Sequence, residues 1–597
     1  MCRIAGIIHP DLPVSSMETM TGEMCELLRH GGPDDGGVYT SPTDRLSLGN
    51  RRLSLLDLTA GGHQPMQYAN RYTITYNGEL YNFKKLKEEL TAEGMQFINN
   101  TDTEVILAAF AKWHTQSFSK LNGMFAFALW DNAEKMLYLV RDAAGIKPLY
   151  YSSHTGGLTF ASEIRGFAPV PYLREPAPNT AVFQLAYGYI PEPVTTLANV
   201  HALPKGCFIS YSNINHTYSL QAYSFFSFSN EITDRTAAVE LTKNTIADAV
   251  IRQMIADAPV GVFLSGGVDS AIIAKLAARP GREDLHTLSI HFSEEKYSEK
   301  KYQDILVERL NSTHHSFLLE EKDFHDHFPS ILAAMDMPSC DGINTWFISK
   351  FAAAEGLKAV LSGIGADELF GGYPSFRRMK TALAIQRLPA ALLKNASNAK
   401  LKKLSRLAYL RIEGIRGIYL FLRGHFTPVQ IAGQVGGYEK EIWNLLENMP
   451  VSQMPSNLGP GNIAGSMEFN LYMQDQLLRD ADVMSMAHGL EIRVPFLDNE
   501  VIRAVFAMSE KLKFNNDIPK EILINAFTEE LPEEIWKRKK MGFSFPFAEW
   551  LRSSEYVNSL TKSNNPHTRQ AFLDFMNGKL HWSRIMSLIV LHSRGEI

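Results

Sequence analysis

The sequence predicts an α+β amino-terminal sandwich followed by an α/β parallel-sheet domain with a helical carboxyl-terminal part. Three patterns carry this expectation. From the amino terminus to about Ser212, short apolar runs read as strands, and helical periodicity appears only in pieces. From Val260 to Leu361, strand-like runs alternate with helical ones, the pattern of a parallel sheet covered by crossover helices. From about Thr381 onward the pattern is mostly helical.

In chain order, Tyr72–Tyr76 reads as a strand running into a turn at Asn77-Gly78. Phe83–Leu90 and Thr103–Trp113 carry the helical period. Phe125–Trp130 and Met136–Val140 flank the polar stretch Asp131–Lys135, a hairpin with a medium loop. Ser212–Asn230 is polar and reads as a linker, which divides the chain into a first domain over 2–211, a linker over 212–235 and a second domain over 236–597. Within the second domain, Val260–Leu264, Leu285–Phe292, His315–Leu319 and Lys358–Leu361 read as strands. Ala271–Ala278, Tyr302–Leu310 and Trp346–Glu355 read as the helices between them. No internal repeat or low-complexity tract interrupts this order.

The 597 residues are 45% hydrophobic and 21% charged, ordinary for a globular protein. A net charge of -5 does not invite nucleic acid or an anionic membrane. No apolar run approaches the roughly 18–20 residues of a membrane span, and the amino terminus has no basic segment followed by an apolar core. Cys2, Cys25, Cys207 and Cys340 are far apart and form no CxxC pair. This argues against structural zinc or a disulfide framework and leads us to expect a cytoplasmic protein.

Chemistry enters at the second residue. Removing Met1 would leave Cys2 with a thiol and a free α-amine, a nucleophile with its own base. An α-amine titrates at about 7.7–8, so part of it is unprotonated near neutrality. In the second domain the strand Val260–Leu264 leads through Ser265-Gly266-Gly267-Val268-Asp269-Ser270 into a helix. Two glycines at such a crest let the backbone approach a phosphate, and the helix amino terminus supplies N–H groups and a favourable dipole. No GxxxxGK[ST] pattern is present here. A second crest, Leu361-Ser362-Gly363-Ile364-Gly365-Ala366-Asp367-Glu368, follows a later strand, where open α/β sheets bind ligands. Asp367 and Glu368 suit both a helix amino terminus and a metal site.

The first loop resembles that of ATP-dependent enzymes that cleave between the α and β phosphates, which implies Asp269 as a Mg²⁺ ligand. The chain as a whole resembles the glutamine-dependent asparagine synthetases. The amino-terminal part is similar to a class II glutamine amidotransferase domain of amino-terminal nucleophile type, through Cys2, His30-Gly31-Gly32-Pro33-Asp34, Arg52-Leu53-Ser54, Asn77-Gly78-Glu79, Thr101-Asp102-Thr103-Glu104 and Arg141–Leu149. The remainder is similar to the ATP-pyrophosphatase-type synthetase domain, through the two crests, Met484–Asp498, Lys520 and Lys540-Met541-Gly542-Phe543.

The resemblance implies that Cys2 attacks the side-chain amide of glutamine, with Asn77 and Gly78 as the oxyanion hole. Arg52, Glu79 and Asp102 would hold the amino-acid end of glutamine. ATP would meet the backbone of Leu264 and Ile290 and the residues Ser265, Gly266, Gly267, Asp269, Ser270, Ser362 and Gly363. Asp269 and Asp367 would ligate Mg²⁺, and Lys520 would neutralise the departing pyrophosphate. Ammonia would cross internally to an acyl-adenylate of aspartate, or of another carboxylate such as a sugar acid or peptide. A non-catalytic glutamine or nucleotide sensor is the reading from a different class, and the intact Cys2, Asn77, Asp269, Asp367 and Lys520 argue against it. A homodimer is the base-rate expectation for assembly.

Four positions depart from the resemblance. Gly31 stands where the family has arginine. Asp480 and Val483 stand where basic residues are usual. Ile364 replaces an acid in the second crest and is expected to determine acceptor specificity. Met335-Asp336-Met337-Pro338 and Asp341–Thr345 are expected to shape the acceptor pocket.

Overall fold

The computed structural model of the chain describes residues 2–278, 285–389, 392–393, 405–449, 457–514, 518–538, 541 and 545–597. Twelve strands build the amino-terminal domain: β1 (Cys2–Ile8), β2 (Asp35–Ser41), β3 (Leu46–Arg52), β4 (Met66–Tyr68), β5 (Tyr72–Leu80), β6 (Gly123–Asp131), β7 (Met136–Arg141), β8 (Tyr150–Ser152), β9 (Leu158–Ala161), β10 (His201–Ala202), β11 (Cys207–Ser212) and β12 (Thr217–Ala222). They form two antiparallel sheets, ordered β10-β8-β9-β1-β3-β2 and β12-β11-β7-β6-β5-β4.

The sheets pack face to face. Ile4, Leu48 and Phe160 from one meet Ala126, Trp130 and Leu139 from the other. The outer face of the second sheet is covered by the helices Phe83–Ala92 and Asp102–Trp113, against which Phe125, Phe127 and Leu129 pack. The outer face of the first carries the helix Val14–Leu27. Because β6 is buried on both faces, its sequence reads as a continuous apolar run instead of an in-out alternation.

Two local expectations are corrected. Asn77 and Gly78 do not turn the chain. They lie inside β5, in register with Ala126 and Phe125 of β6. Glycine is needed at 78 for close approach, since a Cβ there would lie 2.2 Å from the Met124 carbonyl oxygen. The polar stretch expected as linker contributes β12, paired with β11 along its whole length. All six of its residues are exposed, so an edge strand carried no burial signal in the sequence.

The second domain holds a parallel sheet, ordered β15-β14-β13-β16-β17, from β13 (Val260–Phe263), β14 (His286–His291), β15 (Thr313–Leu318), β16 (Ala359–Leu361) and β17 (Glu491–Arg493). Its first four strands match the expected alternation, and Val268–Ala277, Lys300–Val307 and Ile343–Ala354 are helices as expected. The fifth strand was hidden because two of its three residues are charged. Glu491 and Arg493 satisfy each other in the interior, Arg493 Nε donating to Glu491 Oε1 at 2.5 Å with both side chains at 0% exposure. After β16 the described chain is mainly helical. An eleven-residue π-helix, Glu468–Leu478, runs directly into the α-helix Arg479–Met486.

The two domains are tied by buried polar contacts. Asp336 accepts backbone N–H bonds from Ile164 (2.6 Å) and Arg165 (2.8 Å). Asn122 Nδ2 donates to Asp498 Oδ1 at 3.1 Å. Among the described residues no helix is long and apolar enough to cross a membrane, and all four cysteines are free thiols.

Candidate functional site

Cys2 begins β1 and is nearly enclosed. It lines a small pocket with Arg52, Leu53, Gly78, Glu79 and Asp102. The Cys2 backbone N–H donates to Asn77 Oδ1 at 3.3 Å. That bond leaves Asn77 Nδ2 buried with no hydrogen-bond partner, a donor beside the thiol that a developing oxyanion would satisfy. Burial pushes the Cys2 thiol up from its ordinary value, and a nearby α-amine, the Leu53 N–H and Arg52 act against this.

The proposed glutamine grip is assembled from three directions. Arg52 ends β3, and its guanidinium donates to the backbone oxygens of Leu56 (3.0 Å), Asp57 (2.5 Å) and Thr59 (3.3 Å). Gly62 makes room for it, because a Cβ there would lie 1.8 Å from Arg52 Nη2. Asp102 opens the helix Asp102–Trp113, capped by Thr101, whose hydroxyl accepts from the Glu104 N–H. One Asp102 oxygen accepts from the Tyr76 hydroxyl and the Leu80 N–H, both at 2.9 Å. Glu79 meets Arg493 of the second domain, Nη2 to Oε2, at 3.3 Å. Burial, with the neighbouring Glu491 and Asp102, raises its pKa despite Arg493.

Arg3 resolves the Gly31 departure. A Cβ at residue 31 would lie 2.8 Å from Arg3 Cγ and 2.9 Å from Arg3 Nε, so the Arg3 side chain fills the space over Gly31. Arg3 Nε donates to Glu163 Oε1 (2.6 Å) and Nη1 to Asp482 Oδ2 (2.8 Å), all at 3% exposure or less. Asp482 also accepts from Lys147 Nζ at 3.0 Å, and His30 Nε2 lies 3.0 Å from Glu163 Oε1. A cation therefore returns to this region from the residue next to the nucleophile.

The second site is a cavity of about 270 Å³ at the carboxyl ends of β13, β14 and β16. Leu264, Ser265, Asp269, Ser270, Ile290, Ser362, Gly363, Ile364 and Asp367, singled out separately in the sequence, line it together. Gly266 and Gly267 form the crest beside it and are not among its lining residues. Gly266 adopts φ +76°, and Gly267 caps the following helix. The Ser265 and Ser270 hydroxyls lie 3.0 Å apart and stiffen the loop. Gly363 brings the two crests together, since a Cβ there would lie 2.9 Å from Asp269 Cβ.

Lys520 is buried at 6% exposure, not at the surface. Its Nζ donates to Asp269 Oδ1 (2.8 Å) and Oδ2 (2.6 Å) and pairs with Asp367 Oδ1. Burial works against its charge, but the two carboxylates outweigh this and hold the ammonium protonated. A cation thus already bridges the two carboxylates expected to bind Mg²⁺. Their all-oxygen donor set beside the Ser265–Ser270 loop fits a hard divalent ion.

The other wall of the cavity carries Asp341, Gly342, Asn344, Thr345, Glu368 and Asp480. Asp480 Oδ2 accepts from Ser339 Oγ at 2.5 Å, and the same hydroxyl oxygen accepts from the Asp341 N–H at 3.3 Å. Burial lifts the Asp480 carboxyl to about 7, with Asp341 adding to the effect and Arg479 opposing it. Glu368 is likewise lifted to about 7 by burial and by Asp367, although it accepts from the Tyr373 hydroxyl at 2.7 Å.

Asp341–Thr345 therefore sits where an acceptor wall was expected, but Met335–Pro338 does not. Met335–Pro338 is absent from the cavity lining, and its Asp336 is spent on the domain interface. Of the Lys540-Met541-Gly542-Phe543 string, all but Met541 lies outside the described residues. Sequence reasoning gave no separate role to Arg3, Lys147, Asp482 and Arg493, which meet Glu163, Asp482, Lys147 and Glu79 across long separations. It also missed Arg538, which donates to the Gly266 carbonyl at 2.9 Å and stacks 4.1 Å over Tyr302. Charged residues at full burial are the retrospective signal, and burial is invisible in one sequence.

Residues 1–224 match the glutamine amidotransferase domain family and residues 241–582 the asparagine synthase family. The chain is 31% identical over 587 residues to glutamine-hydrolyzing asparagine synthetase 1 of Bacillus subtilis (strain 168), covering 94% of this chain and 90% of that one. It is 30% identical over 564 residues to a putative glutamine-hydrolyzing asparagine synthetase of Mycobacterium tuberculosis (strain ATCC 25618 / H37Rv), covering 89% and 84%. It is 29% identical over 578 residues to glutamine-hydrolyzing asparagine synthetase 3 of Bacillus subtilis (strain 168), covering 91% and 87%.

Proposed function

The chain belongs to the glutamine-hydrolysing asparagine synthetase family, and on that premise we propose that it moves the amide nitrogen of glutamine onto a carboxylate activated by ATP. Cys2 attacks the glutamine side-chain carbonyl carbon, its proton passing to the α-amine freed when Met1 is removed. The unpartnered Asn77 Nδ2 and the Gly78 N–H receive the negative charge that develops on oxygen. Arg52 faces the substrate α-carboxylate, and Asp102 and Glu79 face its α-ammonium. Collapse releases ammonia and leaves a thioester, which water cleaves to glutamate.

At the second site an acceptor carboxylate oxygen attacks the α-phosphorus of ATP, and pyrophosphate leaves. Ammonia then attacks the acyl-adenylate carbonyl, a proton is lost, and AMP leaves with the carbon–oxygen bond. Asp269 and Asp367 would hold Mg²⁺, which when bound neutralises phosphate charge. Lys520, positioned between them, holds positive charge where pyrophosphate departs.

One observation carries this reading. The helix Arg479–Met486 lies between the two sites, with Asp480 lining the nucleotide cavity and Asp482 bound to Arg3, the neighbour of Cys2. Residues two apart on an α-helix project about 200° apart, which puts them on opposite faces. The test is Asp269→Asn. It is expected to lower pyrophosphate release by about 100-fold or more with either glutamine or ammonia as nitrogen source, because a charged phosphate-site ligand becomes neutral. Glutamine hydrolysis should persist. Native-rate pyrophosphate release in this variant refutes the assignment.

Aspartate is the acceptor that the relatives' name implies. A second reading keeps both half-reactions but takes a different carboxylate. Ile364 favours it, since an apolar side chain lines the acceptor part of the cavity.

A further inference from the structure

The Cys2 pocket draws one of its supports from the other domain. Glu79 lies near the end of β5, is buried, and lines the pocket together with Cys2, Arg52 and Asp102. The two acids of this pocket are supported in different ways. Asp102 accepts from the Tyr76 hydroxyl and the Leu80 N–H, both groups of its own domain. Glu79 is supported across the interface, where Arg493 Nη2 stands 3.3 Å from its Oε2.

Arg493 is fixed by the second domain alone. Its Nε donates to Glu491 Oε1 at 2.5 Å, and its Nη1 donates to the carbonyls of Gln253 and Ile255, both at 2.7 Å. The planar fork is thereby held on two edges, and the remaining nitrogen faces Glu79. A buried cation gripped in this way sets where the partner carboxylate sits.

The charges around Glu79 give this contact a task. Burial raises the Glu79 pKa and Arg493 lowers it; Glu491 and Asp102 raise it further, and a nearby α-amine lowers it. Arg493 is thus the side chain that favours the carboxylate, which is the form that attracts an ammonium. A carboxylate has about four acceptor positions, so the contact with Nη2 leaves room for a second cation.

Resting on the reading in which Glu79 and Asp102 face the α-ammonium of glutamine, we propose that Arg493 is a positioning residue of the glutamine site, holding the Glu79 carboxylate in place for that ammonium without touching the substrate. The amino-terminal domain then recognises the amine of glutamine only with the second domain docked against it. The inference adds no bond change to the scheme above.

The test uses the native full chain with ATP and Mg²⁺ but no acceptor acid, so that released ammonia accumulates. L-glutamine is compared with 4-carbamoylbutanoate, which is glutamine without its amine. The native chain is expected to show a kcat/KM for glutamine at least about tenfold above that for the analogue, the scale of one charged hydrogen bond. Arg493→Gln should raise KM for glutamine about tenfold with kcat unchanged, and should leave both constants for the analogue as they were. A merely structural role would not produce that split, because lost packing would affect both substrates alike. Arg493→Lys should raise KM for glutamine by about threefold, since the charge is kept and the fork is lost. This variant decides the matter if Arg493→Gln does not fold. Native KM for glutamine in the variants, or equal losses on both substrates, overturns the inference and leaves the glutamine site standing. Equal use of the two substrates by the native chain overturns it together with the placement of Glu79 and Asp102 at the ammonium. Absence of ammonia release from either substrate overturns it together with the Cys2 reading.

Discussion

Cys2→Ala is expected to abolish glutamine-driven product formation while leaving ammonia-driven synthesis at its native rate. The substitution removes one sulfur atom at the start of β1, where Cys2 is 6% exposed. No other thiol lines that pocket, since the remaining lining residues are not cysteines, so nothing there replaces the nucleophile. Asn77 and Gly78 stay in register with β6 because their positions are set by backbone pairing, not by the thiol. The adenylating cavity is lined entirely by residues from Phe263 onward and should bind its substrates as before. The measurement is amide product and free glutamate under each nitrogen source. Glutaminase activity retained by the variant would falsify the assignment of Cys2.

Asp482→Asn is expected to destabilise the protein by about 3–5 kcal/mol, the usual scale for removing one partner of a buried ion pair. Asp482 is enclosed between Arg3 and Lys147, whose side chains are 0% and 1% exposed. Removing its charge leaves Lys147 Nζ without its carboxylate and leaves Arg3 to Glu163 alone. The same pair has a pH signature. Burial alone would raise the Asp482 pKa, but Arg3 and Lys147 outweigh it and hold the carboxyl below its ordinary value. A carboxyl with a depressed folded pKa contributes stability that is present above its unfolded value of about 3.9 and lost as pH falls through the lower folded value. The native protein should therefore lose this contribution below about pH 4, and the variant should lack it at every pH. Urea unfolding of both proteins at pH 7 and at about pH 3 measures it. Equal midpoints at pH 7 would show that the cluster adds nothing to stability.

Damage at Asp482 should also reach function. Its helix carries Asp480 into the second cavity on the opposite face, and its partner Arg3 is the residue that follows Cys2 in the chain. Arg493 forms a parallel tie, meeting Glu79 of the glutamine pocket while its carbonyl accepts from the Ser362 N–H of the second crest at 2.8 Å. The two pockets are thus tied to each other through buried charges.

What the sequence by itself determined is local. Loop chemistry and periodicity were enough to locate Ser265–Ser270, the crest at Ser362–Glu368 and the hairpin of β6 and β7, because each is set by residues close in the chain. Asn77, Gly78 and Cys2 were identifiable as a set only through their resemblance to a family. What the tertiary structure decided is every pairing across long separations. Gly78 is a strand residue and not a turn, because the backbone of β6 lies against it. Glu491 and Arg493 form a strand because each removes the other's burial penalty. Lys520 meets Asp269 because folding brings it there from 251 positions away. Asp480 and Asp482, two residues apart and both acidic, look alike in the sequence. The helix that carries them turns one toward a cavity and the other toward two buried cations. That difference arises from helical phase and from the neighbours on each face, and neither is written in local composition.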